Sequence, residues 1–199
     1  MIKAIYWDLG GVCIQNSLEP SLRSFDVDYG EQQKKASEQY RLGKISTRQF
    51  FIKALKGTPL EGRVNEVEKK AHDLLDVRLW GALPLVIQLY GKAKQGVISN
   101  HSPEMGKYIQ EKFGLENYFD KDLIIFSGDV GMDKTNPEIF KLALKRAGTK
   151  PEETLFWDDQ QSCVDVARKA GLHAEVFGDR QKAIDILCSR YDIKVYRGE

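Results

Sequence analysis

The 199-residue chain is 42% hydrophobic and 30% charged, which suits one packed domain with a modest insert and excludes disorder as the main state. Its 30 Lys plus Arg against 29 Asp plus Glu leave a formal charge of +1, so neither nucleic acid nor an anionic membrane is an expected partner. The longest uncharged stretch, the 13 residues from Leu79 to Gly91, contains Pro84 and falls short of the roughly 18 apolar residues a bilayer helix needs.

In chain order, Ile2 to Trp7 is a short β-prone run that stops at Asp8-Leu9-Gly10-Gly11. One apolar run this short before a charge does not make a secretory signal. Cys13, Cys163 and Cys188 are scattered and show no metal-ligand spacing, so a reduced, cytoplasmic protein is expected. From residue 16 to 79 a helical period dominates, with Val64, Val67, Ala71 and Leu74-Leu75 on one stripe. Gly30, Gly43 and Gly57-Thr58-Pro59 divide this region into about four short helices without a strand. Three more apolar runs then end abruptly: Gly96-Val97-Ile98 at Ser99-Asn100, Leu123 to Phe126 at Ser127-Gly128-Asp129, and Thr154 to Trp157 at Asp158-Asp159. Runs without polar alternation suit strands buried on both faces of a parallel sheet.

Ser102-Pro103-Glu104 and Asn136-Pro137-Glu138 read as helix starts, with a capping residue before proline and an acid in the first turn. Lys112-Phe113-Gly114, Arg146-Ala147-Gly148 and Lys169-Ala170-Gly171 read as helix ends. A late strand is expected just after His173. The expected fold class is therefore α/β, a doubly wound, Rossmann-like parallel sheet. Its core would comprise residues 1–15 and 80–199, with a small helical cap inserted at 16–79.

Parallel strands point the same way, so Asp8, Ser99, Ser127 and Asp158-Asp159 are expected on one edge, where ligands of open α/β sheets bind. Converging carboxylates raise one another's pKa unless a cation lies between them. An oxygen-rich cluster of this kind suits Mg²⁺.

Ile5-Tyr6-Trp7-Asp8-Leu9-Gly10-Gly11-Val12, Val97-Ile98-Ser99-Asn100, Lys134 ahead of Asn136-Pro137-Glu138, and Leu155-Phe156-Trp157-Asp158-Asp159 follow one another along nearly the whole chain. In order and spacing this set resembles motifs one to four of the haloacid dehalogenase (HAD) superfamily, and Tyr40 to Ser46 with Phe50-Phe51 resembles its small helical cap. The resemblance implies that Asp8 is a nucleophile forming an aspartyl-phosphate. It implies that Asp8, the Gly10 carbonyl and Asp159 hold Mg²⁺, with Asp158 beside them. Ser99, with Asn100 next to it, would bind the phosphoryl group, and Lys134 would pair with that group and with the nucleophile. The implied activity is Mg²⁺-dependent hydrolysis of a small phosphorylated metabolite by a monomer or homodimer. A 2-haloacid dehalogenase is the second enzymatic reading, although the dehalogenase branch lacks the paired acids seen here at Asp158-Asp159.

The chain departs from the resemblance at Gly10, where most phosphatases of the superfamily carry a second Asp as general acid and base. A third reading, a phosphate- and metal-binding protein without turnover, follows from that change. Cys163 stands where the family has Asn or Asp, and reads as a buried helix cysteine. Thr135 follows Lys134 where the family often has proline. His101 reads as a solvent-facing loop residue in preference to a proton donor. Tyr40-Arg41 reads as an amphipathic helix end with the Arg head in water. Trp7 and Trp157 read as core residues, His72 and His173 lack metal-ligand neighbours, and Asp129 is either a loop acid or a residue of the metal region.

Overall fold

A computed structural model describes residues 1–78 and 81–196. Five strands form one parallel sheet: β1 (Ala4–Trp7), β2 (Lys94–Ser99), β3 (Ile124–Phe126), β4 (Thr154–Asp158) and β5 (His173–Val176), in the order β3-β2-β1-β4-β5. Every residue of β1, β3 and β4 is buried, as the unalternating apolar runs require of strands covered on both faces. The chain winds outward from β1 to β3 and then crosses to β4 on the other side of β1. This reversal leaves a crevice at the carboxyl ends of β1 and β4.

Within the segment expected to be helical, the described residues between 16 and 78 form four helices: α1 (Leu18–Arg23), α2 (Glu31–Arg41), α3 (Thr47–Leu55) and α4 (Val64–Leu74). The expected boundary at residues 79 and 80 lies outside the described residues. The remaining helices are α5 (Leu83–Gln88), α6 (Pro103–Phe113), α7 (Ser127–Val130), α8 (Glu138–Ala147), α9 (Gln161–Lys169) and α10 (Arg180–Tyr191). Ser102 Oγ accepts from Met105 N at 3.4 Å and caps α6, with Pro103 at its first position. At α8 the start is shifted by one residue: Pro137 occupies the capping position, and Asn136 Oδ1 accepts from Glu138 N at 3.0 Å.

One apolar core joins Trp7, Leu9 and Trp157 to the insert's Phe50, Phe51, Leu55 and Val67, so α1–α4 and one face of the sheet bury the same hydrophobic surface. The opposite face packs Tyr6, Phe140 and Phe156 against α8 and α9, where Cys163 is buried as expected. The Trp7 and Trp157 rings stack with centroids 5.9 Å apart. The two are register partners, so the residues that follow them, Asp8 and Asp158, leave the sheet side by side.

Polar bonds fasten the insert to the sheet edge. Gly43 adopts φ +69°, and a Cβ there would lie 2.5 Å from Gly128 O, so only glycine allows this approach. Ser127 Oγ donates to Arg41 O at 2.6 Å, and Arg41 Nη2 lies 3.3 Å from Asp133 Oδ2.

Candidate active site

Asp8 begins where β1 ends. Its Oδ1 accepts from Leu9 N and from Ser99 Oγ, both at 2.8 Å, and its Oδ2 lies 2.9 Å from Lys134 Nζ. Lys134 arrives from the loop between α7 and α8 and also reaches Asp158 Oδ2 at 2.6 Å, so one ammonium links the carboxylates of β1 and β4. Asp158 Oδ1 accepts from Gln160 N at 2.8 Å, and Lys134 N donates to Asn100 Oδ1 at 3.2 Å. All four groups of this chain of contacts (Asp8, Ser99, Lys134 and Asp158) are at most 5% exposed.

Asp159 stands beside them. Asp8, Asp158 and Asp159 offer oxygens within 4.8 Å of one another. A Cβ at Gly11 would lie 2.1 Å from Asp159 Oδ2, and Gly11 is held at φ +76°, so the glycine lets the acid approach the strand-end loop. Burial pushes the Asp8 and Asp158 carboxyls above the usual range, with Lys134 opposing it. For Asp159 the Asp158 charge adds to burial and raises its pKa further. Burial disfavours the Lys134 ammonium, yet Asp8 and Asp158 outweigh it and hold that group above an ordinary lysine. Three carboxylates against one ammonium leave an excess of negative charge, and Asp159 Oδ1 is buried without a partner. A hard divalent cation bound by oxygen would answer both.

A cleft of about 410 Å³ between α1 and the sheet edge is lined by Gly10, Asn16, Tyr29, Asn100 and His101. Several residues fall elsewhere than the sequence suggests. Ser127 leaves the acid cluster and bonds to Arg41 O, because α7 begins at that residue and turns it toward the insert. His101 is half-buried at the cleft wall instead of free in solvent. Its Nδ1 lies 3.3 Å from Tyr40 Oη, its ring meets Phe126 at 6.2 Å, and burial together with the nearby Lys134 charge pushes its pKa down to about 4. Tyr40-Arg41 does end a helix, α2, but Tyr40 is fully buried and the half-buried Arg41 head is paired with Asp133 instead of standing free in water. Asp129 is exposed on α7 and outside the acid cluster. Asn16, which lines the cleft, carries no sequence signal that separates it from an ordinary loop residue.

The profile of the haloacid dehalogenase-like hydrolases matches residues 2–171. The chain belongs to that family. It is 28% identical over 194 residues to a D-ribitol-5-phosphate phosphatase of Bacteroides thetaiotaomicron, covering 86% of this chain and 90% of the relative. A pyrimidine 5'-nucleotidase of Escherichia coli is 37% identical over 87 residues, a match to 44% of this chain and only 38% of the relative. Among solved structures, a HAD family enzyme from B. thetaiotaomicron in complex with magnesium and inorganic phosphate superposes with a TM-score of 0.70 at 24% identity, over 90% of this chain and 96% of that one. The L-2-haloacid dehalogenase of Xanthobacter autotrophicus gives 0.66 at 20% identity, over 98% and 85%. These structures share the fold. Among the described residues, no helix is long and apolar enough to cross a membrane.

Proposed function

We propose that the chain is a Mg²⁺-dependent phosphatase of a small phosphorylated metabolite, working through an aspartyl-phosphate on Asp8. The observation that carries this reading is the clamped Asp8 carboxylate, held by Ser99 and Lys134 next to the unpartnered oxygen of Asp159. The phosphatase relatives support the choice of phosphate ester as substrate.

Asp8 attacks phosphorus, forming one O–P bond as the ester O–P bond breaks, and water then hydrolyses the acyl phosphate and regenerates Asp8. Ser99 and Lys134 orient the carboxylate and supply donors for the phosphoryl oxygens, where charge accumulates in a loose transition state. Asn100 fixes the Lys134 backbone, and Asp158 shares the Lys134 charge. Asp8, Asp159 and the Gly10 carbonyl would hold Mg²⁺, which when bound neutralises the acids and the incoming phosphate. Residues 16–79 would act as the cap that covers the cleft and selects the substrate.

The three-carboxylate cluster weighs against dehalogenation, which requires no metal. Release of phosphate or halide by the purified protein, with and without Mg²⁺ and with Asp8→Asn as control, tests the assignment. Phosphate release that needs both Asp8 and Mg²⁺ is the expected result. Activity unchanged by Asp8→Asn would overturn it, and Mg²⁺-dependent trapping of beryllofluoride without turnover of any phosphate would favour the non-catalytic reading.

A further inference from the structure

The space beside Gly10 is filled. Asn16, exposed at the lip of the cleft, sends its amide back toward the strand-end loop. A Cβ at Gly10 would lie 2.4 Å from Asn16 Oδ1, inside any real contact distance. The other end of the same amide lies close to the metal-facing acid. Asp159 Oδ2 and Asn16 Nδ2 crowd one point above Gly11, 2.1 and 3.1 Å from where its Cβ would stand. Asp159 Oδ1 has no partner, and it is Oδ2 that shares this point with the Asn16 amide nitrogen.

We propose that Asn16 is a positioning residue: its amide occupies the volume that a side chain at position 10 would need and holds Asp159 Oδ2, leaving Oδ1 for the divalent cation. The inference rests on the metal-dependent reading above. Gly10 and Asn16 then form a coupled pair. An amide has no proton to give at neutral pH, so it replaces the bulk and the hydrogen bonding of an acid at this place without replacing its proton chemistry. Groups that orient metal ligands in this way contribute about 10- to 100-fold to metal affinity. The exposed position of Asn16 means that its truncation leaves the fold intact.

Three variants test this, Asn16→Ala, Gly10→Ala and the double variant, each titrated with Mn²⁺ by calorimetry and melted without metal. Asn16→Ala is expected to weaken Mn²⁺ binding about 10- to 100-fold with an unchanged metal-free Tm. Gly10→Ala, whose methyl displaces the amide, is expected to weaken binding similarly, and the double variant no further than either alone. Wild-type Mn²⁺ affinity in Asn16→Ala, or losses that multiply in the double variant, would overturn the role of Asn16 while leaving the phosphatase reading intact. A wild-type protein that binds no Mn²⁺ would overturn both.

Discussion

The Arg41 guanidinium of the insert pairs with Asp133, the residue immediately before Lys134, with Nη2 and Oδ2 3.3 Å apart. The contact ties the helical region to the loop that delivers the ammonium to Asp8. Asp133 is mostly buried, and its other oxygen already accepts from Thr135 N at 3.0 Å, so the loop is held from both sides. Arg41→Met is expected to cost about 1–3 kcal/mol in urea denaturation, because it strands a buried carboxylate. Turnover should fall with it as the lysine loop loosens. In a cycle with Asp133→Asn the two losses should be non-additive.

Lys134→Met removes the cation shared by Asp8 and Asp158. Breaking a buried pair from one side costs about 3–5 kcal/mol, so a large drop in the metal-free urea midpoint is expected. Because Mg²⁺ would supply the missing positive charge, it should raise the Tm of this variant more than that of the wild type. A Tm that Mg²⁺ leaves unchanged in both proteins would argue against a cation site among these acids.

Gly11→Ala acts on the acid cluster itself. The left-handed φ of +76° strains any L side chain, and the new methyl would overlap Asp159 Oδ2. The backbone strain alone is worth about 1–2 kcal/mol. Calorimetry should show divalent cation binding lost, a larger effect than the modest fall in Tm.

His101 supplies a pH prediction. Its folded pKa of about 4 lies below the unfolded value, so between about pH 6.5 and 4 the unfolded chain binds more protons. The stability it contributes is present above pH 6.5 and is lost as pH falls, by up to about 3 kcal/mol. His101→Gln should flatten the fall in urea midpoint over this window, and an unchanged slope would exclude the histidine as its source.

Gly10 offers no side chain to protonate a leaving group, a service worth about 10²–10⁴ in rate. Phosphates with good leaving groups (aryl, acyl or anomeric) should therefore turn over at least about 10²-fold faster than simple alkyl phosphates. Equal rates across the series would place a proton donor elsewhere in the cleft.

The sheet was legible in the sequence because a strand buried on both faces must be written as an uninterrupted apolar run. Polar residues placed where such runs stop are fixed to one edge by parallel geometry, and this brought Asp8, Ser99, Asp158 and Asp159 into view together. Lys134 lies in a loop, and only the family resemblance singled it out; the structure then brings it 2.9 Å from Asp8.

What the sequence by itself determined, then, is the alternation of strands and helices, the helical insert after β1, and the acids at the strand ends, because each depends on local periodicity and on the direction of one strand. What only the tertiary structure decided is how the insert meets that edge. Tyr40 is buried against the core and the half-buried Arg41 is paired with Asp133, Ser127 bonds to the insert and not to the acids, and Asn16 occupies the gap beside Gly10. Those positions depend on contacts between segments distant in the chain, where burial and charge pairing override any local pattern.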